Sequence, residues 1–125
     1  MRLLLDSHVM LWWTGLYPGF ISQRLHDAMA KADSVAISAA TIWELEIKRN
    51  AGKLALPADA WVRVTGLGIA CLQITQEDAV AAGGLPPIHR DPFDRMIVAQ
   101  AIRRDLVLVT GDAILADYSV ALIRI

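Results

Sequence analysis

A single cysteine, Cys71, stands in a chain of 125 residues, so no internal disulfide can form. The run around it, Ile69-Ala70-Cys71-Leu72, is apolar, and we read Cys71 as a small buried hydrophobe and not as a reactive thiol. Excess charge is lacking too: 12 basic residues face 13 acidic ones, for a net charge of −1. This excludes holding nucleic acid by bulk positive charge, because that mode needs a basic excess to displace counterions. Any nucleic-acid role must come from a local site. Long apolar runs are also missing. The longest uncharged stretch, Ser7 to Gln23, is broken by Gly15, Pro18 and Gly19 and falls short of the ~20 residues of a membrane span. The opening Met1-Arg2-Leu3-Leu4-Leu5 begins as a signal peptide would, but Asp6 interrupts it too early. We expect no membrane segment and a cytoplasmic protein. Gly66-Leu67-Gly68 lacks a third glycine and leads toward a strand, so it is no dinucleotide fingerprint. There is no phosphate-binding lysine loop and no serine-hydrolase elbow, and His8, His26 and His89 have no zinc-like spacing.

What is present is apolar: 55% of the residues, above the ~45–50% usual for a soluble domain. With four tryptophans, the excess points to surface hidden by self-association or by a partner. No repeat or linker divides the chain, and we expect one domain over residues 1–125. Short apolar runs at Arg2–Leu5, Ser34–Ile37, Ala70–Ile74, Leu106–Val109 and Val120–Ile123 have the lengths of buried strands. Helical spacing fills the gaps. Ser22–Ala32 carries one apolar stripe; Ser38 caps a helix ending near Gly52; Ala58–Leu67 and Gln76–Ala82 are shorter, the latter capped by Thr75. Asp91 at the cap and Pro92 at the first helical position open the clearest helix of all. Strands apolar on both faces, alternating with helices, predict an α/β fold of three layers, with a parallel sheet covered on each side.

In such sheets ligands bind beyond the carboxyl ends of the strands, where strand order reverses. Asp6 ends the first strand, and Asp112 follows Leu108-Val109-Thr110 after one glycine. Glu44 lies about two turns into the helix beyond the second strand, within reach of the same edge. Asp94 is in the first turn of the helix capped by Asp91. Each acid alone has a plain structural explanation: a turn for Asp6, a cap for Asp112, a solvated face for Glu44, the helix dipole for Asp94. Together, Asp6, Glu44, Asp94 and Asp112 would repel one another at one crevice unless cations were present, and Mg²⁺ or Mn²⁺ suits oxygen ligands. Such an ion can promote attack of water on a phosphodiester.

The segments Leu4-Leu5-Asp6-Ser7-His8-Val9, Ser38-Ala39-Ala40-Thr41-Ile42-Trp43-Glu44-Leu45, His89-Arg90-Asp91-Pro92-Phe93-Asp94-Arg95 and Val109-Thr110-Gly111-Asp112 resemble the PIN-domain ribonucleases, in particular the VapC-type toxins of bacterial toxin–antitoxin pairs. The resemblance covers almost the whole chain in order. It implies a three-layer α/β/α fold with a central parallel five-stranded sheet, a homodimer, RNA as substrate, Mg²⁺ or Mn²⁺ as cofactor, and inhibition by a small antitoxin protein. It places the family's acids on Asp6, Glu44, Asp94 and Asp112, with Asp117 competing for the fourth place. It also gives Ser7 and Thr110 the role of hydroxyl supports. Arg90 and Arg95, flanking Asp94, are candidates for holding a phosphate, with a helix-surface ion pair as the equal alternative. Tandem Trp12-Trp13 is expected to pack in the core or a dimer interface.

Two rival readings use the same acids. A phosphohydrolase of the haloacid-dehalogenase kind also places an aspartate after its first strand, but carries a second one where this chain has His8. A receiver-like, non-catalytic metal-binding module needs paired acids at the first strand, whereas Asp6 stands alone.

Overall fold

A computed structural model describes residues 1–125. The strands are β1 (Arg2–Leu5), β2 (Ser34–Ser38), β3 (Ile69–Leu72), β4 (Val107–Thr110) and β5 (Leu122–Arg124). All pair in parallel, in the order β3-β2-β1-β4-β5. The helices are α1 (Ser7–Thr14), α2 (Gln23–Lys31), α3 (Ala39–Asn50), α4 (Ala60–Gly66), α5 (Gln76–Gly83) and α6 (Pro92–Arg103). A 3₁₀ turn, Ala113–Asp117, joins β4 to β5.

Alternation along the strands divides the core. Leu3 and Leu5 face one layer with Val9, Met10, Leu25 and Leu45, whereas Leu4 faces the other with Ile97, Val98 and Leu115. Both faces of β1 are therefore covered, as its uninterrupted leucines require. The caps lie where the short polar residues put them: Ser22, Ser38, Thr75 and Asp91 each accept a backbone N–H of the first turn. Thr75 and Asp78 bond reciprocally, each side chain to the other's N–H. Gly68, at φ 81°, makes the left-handed turn from α4 into β3, which is the use of the glycine-rich segment near residue 66.

Three expectations need correction. The uncharged stretch after Asp6 contains a helix, α1, which the pattern did not reveal. Val9, Met10 and Leu11 are all buried and no charged residue marks an outer face, so no amphipathic stripe is visible. Cys71 is exposed: β3 is an edge strand, and its two middle residues, Ala70 and Cys71 on opposite faces, are both exposed. Partial burial still raises the thiol pKa, so exposure does not make it a ready thiolate. The tryptophan pair divides: Trp13 packs against the core edge and the ring of His26, while Trp12 lines a surface cleft beside Asp6 and Asp112. Gly19 lies against the Trp12 ring so closely that a Cβ there would fall 2.0 Å from its Cδ1.

Candidate metal centre

Strand order reverses between β1 and β4, so the crevice expected of a parallel sheet opens beyond Leu5 and Thr110. Asp6 stands at that point and is only 7% exposed. Its Oδ1 accepts the N–H of Val9 at 2.9 Å, capping α1, and its Oδ2 accepts the hydroxyl of Thr110. Thr110 Oγ1 in turn accepts the Asp112 N–H at 3.0 Å. One threonine thus ties the end of β1 to the turn after β4. Burial raises the Asp6 pKa; the bonds from Thr110 and Val9 and the nearby His8 oppose it, and Asp112 adds to it.

Asp94 comes from the first turn of α6, where Asp91 takes the capping role by accepting the N–H groups of Phe93 and Asp94. Asp112 caps the 3₁₀ turn through Ile114 N–H at 2.9 Å. Between them lies His89, whose Nε2 is 3.2 Å from Asp94 Oδ2 and 3.3 Å from Asp112 Oδ2. The ligand-capable atoms of His89, Asp94 and Asp112 lie within 4.8 Å of one another. The tautomer follows from its other nitrogen. Nδ1 accepts the Asp91 N–H at 3.0 Å, so in the neutral ring the hydrogen is on Nε2 and points at the two carboxylates. In this arrangement His89 orients Asp94 and Asp112 and leaves ligation to oxygen.

Glu44 approaches from α3 with its side chain 13% exposed, and its Oε2 is 3.5 Å from Lys48 Nζ one turn on. Burial foremost, then Asp91, Glu44 and Asp6, push the Asp94 carboxyl up to about 7, against the opposing influence of His89. The four predicted acids therefore act on one another, although Asp6 and Glu44 lie outside the tight trio. Asp117 is exposed at the far end of the 3₁₀ turn and belongs to none of these contacts. Ser7 is buried, lines a neighbouring cleft and bonds to none of the acids.

The arginines separate. Arg90 is exposed on a shallow surface with Pro87 and His89. Arg95 donates instead to five backbone carbonyls, those of Ala82, Gly83, Leu85, Pro86 and His89. It sits at the carboxyl end of α5, where a cation is favoured, and clamps the loop that carries His89. Neither the expected phosphate contact nor an ion pair is needed to explain it. Tyr118 works from the other side, accepting the His89 N–H at 2.9 Å and donating to Pro86 O at 3.2 Å. Arg95→Met should cost about 2 kcal/mol of stability through lost charge-assisted bonds, measured by urea denaturation. A loss below about 0.5 kcal/mol would show the clamp to be idle. His89 and Tyr118 escaped the sequence reading; the only local hint was a histidine two residues before the Asp91-Pro92 cap.

Clustered oxygen donors, one of them a carboxyl pushed up to about 7 by burial and by its acidic neighbours, fit a divalent cation, and their place at the switch point of a parallel α/β sheet marks this as a metal-binding α/β domain. The chain belongs to the PIN domain family, whose pattern it matches over residues 3–121. It is 35% identical over 112 residues to Ribonuclease VapC22 of Mycobacterium tuberculosis, covering 87% of this chain and 85% of that protein. Among solved structures it resembles VapBC2 from Rickettsia felis bound to a promoter DNA fragment, with a TM-score of 0.69, 15% identity and coverage of 99% and 98% of the two chains. It also resembles Mycobacterium tuberculosis VapC20, described as a sarcin-ricin loop cleaving toxin, with a TM-score of 0.61, 13% identity and coverage of 98% and 99%.

Proposed function

We propose that this chain is a metal-dependent endoribonuclease that hydrolyses RNA phosphodiester bonds as the toxin of a toxin–antitoxin pair. It works as a single unit over residues 1–125, as a homodimer in the cytoplasm, restrained by a small antitoxin protein. The observation that carries the reading is the approach of Asp6, Glu44, Asp94 and Asp112 to one switch point, with the Asp94 carboxyl pushed up to about 7 by burial and by its acidic neighbours. Membership of the PIN family and identity to a protein named a ribonuclease support the chemistry. The haloacid-dehalogenase and receiver readings have no such support.

In this reading Asp6, Asp94 and Asp112, with Glu44 beside them, hold Mg²⁺ or Mn²⁺. The cation, when bound, supplies Lewis acidity toward the phosphodiester and toward water. Thr110 fixes Asp6 by its hydroxyl, and His89 fixes Asp94 and Asp112 by its Nε2–H. These supports matter because a carboxylate freed to rotate would lose the pre-set geometry that the reaction needs.

Purified chain, freed of any co-purifying protein, should cleave total RNA with Mn²⁺ and stop when a chelator is added. Millimolar Mn²⁺ should also raise the thermal midpoint by several degrees, since a ligand that binds only the folded state stabilises it. Asp6→Asn should blunt that rise. A midpoint indifferent to the metal would overturn the site.

A further inference from the structure

Beside the carboxylates lies a second cleft, lined on one side by Ser7 and Leu11 of α1, on the other by Leu45 and Lys48 of α3, and closed by Tyr17 and Lys53 from the following loops. Its chemistry is opposite to that of the acids. The floor is apolar, since Leu11 and Leu45 are 4% and 1% exposed. The walls are cationic. Lys48 reaches Glu44 at its edge, and Lys53 joins none of the fold's ion pairs. The backbone holds Lys53 in place, its N–H donating to Lys48 O at 2.9 Å. Tyr17 lines the cleft and is 48% exposed. Its cavity, about 180 Å³, is smaller than the ~300–1,000 Å³ of pockets that enclose a whole drug-sized ligand.

We propose that this cleft is the subsite for one nucleotide of single-stranded RNA next to the scissile bond, with Lys53 and Lys48 facing its phosphate and Tyr17 stacking on its base. The proposal rests on the ribonuclease reading above and names how that site takes its substrate. Three features favour it. A chain with net charge −1 has no general attraction for RNA, so positive charge must be local, and here two lysines line one cleft, Lys53 with no ion-pair partner. The cleft adjoins the acids, because Ser7 follows Asp6 and Lys48 Nζ lies 3.5 Å from Glu44 Oε2. An exposed tyrosine beside apolar lining offers a face on which a base of any identity stacks.

The test uses a fluorescein-labelled 12-nucleotide RNA and Mn²⁺, followed by anisotropy in an Asp94→Asn background that prevents turnover. Lys53→Ala should weaken binding several-fold and make the salt dependence shallower by about 0.7 in log K against log salt, the amount of one lost phosphate contact to a single strand. Tyr17→Leu should weaken binding at least about fivefold and leave the salt slope unchanged. In otherwise wild-type protein both changes should raise KM more than they lower kcat. Unchanged affinity and slope in variants that still cleave RNA would overturn the subsite and leave the ribonuclease standing. Failure of the unsubstituted chain to cleave any RNA with Mn²⁺ would overturn the enzymatic reading itself. If both variants bind RNA normally but lose a co-expressed antitoxin, the cleft belongs to that protein and the proposal is wrong.

Discussion

Asp94→Asn is expected to reduce RNA cleavage at least about 100-fold, because even an outer-shell partner of a metal ligand is worth about 10–100-fold. The same substitution should stabilise the metal-free protein at pH 8. The folded carboxyl titrates at about 7 against an ordinary 3.8. A raised acid contributes its full stability below the unfolded value and loses it as pH rises through about 7. At pH 8 the native charge is therefore a burden, and neutral asparagine, which still accepts a bond from His89 Nε2, removes it. With the carboxyl about a quarter exposed, solvent screening leaves about 1–2 kcal/mol of the possible gain. Denaturation of both proteins in chelator at about pH 4 and about pH 8 checks the sign: the variant's gain should be much larger at the higher pH. Mn²⁺ affinity, read from the thermal midpoint, should also weaken below about pH 7, approaching about tenfold per pH unit, since a proton competes for the carboxylate. A variant that cleaves normally, or that is destabilised at pH 8, would remove Asp94 from the centre.

The second large effect lies away from the acids. Asp78 on α5 is wholly buried and receives Arg103 Nη1 from the last position of α6, Arg104 Nη2 from the residue that caps it, the Gln100 amide at 3.2 Å and the Thr75 N–H at 3.1 Å. Burial by itself raises its pKa; the Arg104 bond, then Thr75, Gln100 and Arg103, outweigh it and hold the carboxyl well below the usual carboxylate range. Asp78→Ala would leave two guanidinium groups without their anion, and because these side chains are themselves about a third exposed the loss is about 2–3 kcal/mol, the value of charge-assisted bonds and not of a fully buried pair. Because the folded pKa is lowered, its contribution is complete above the unfolded value near about 4 and drains away as pH falls below it. Acid unfolding of the unsubstituted chain should therefore begin below about pH 4, and Asp78→Ala should flatten that dependence while lowering stability at pH 7. A loss under about 1 kcal/mol at neutral pH would mean that the arginines find other partners.

Local signals were legible in the sequence and distant ones were not. Ser22, Ser38, Thr75 and Asp91-Pro92 announced helix starts, because a cap is formed within three residues of itself. Ends were less exact: the strand expected at Val120–Ile123 runs Leu122–Arg124, and that expected at Ala70–Ile74 runs Ile69–Leu72, because an apolar run does not mark where pairing begins. Asp6, Glu44, Asp94 and Asp112 could be named since strand ends and first turns fix where side chains emerge. His89 could not. Its meaning comes from Asp112, 23 positions away, and from Tyr118, 29 positions away. Arg95 was misplaced for a related reason, as nothing in its neighbours tells that the carboxyl end of α5 folds back over it. The network around Asp78 likewise depends on how α5 lies against α6.

The bond between Thr110 and Asp6 joins residues 104 positions apart, across the two central strands. During synthesis, then, the first acid of the centre is made long before its anchor. Until residues 107–110 have left the ribosome, β1 presents an unpaired edge where β4 belongs, and the turn bearing Asp112 has not formed. The order of synthesis thus keeps the centre incomplete, with Asp6 unanchored, until β4 has paired with β1.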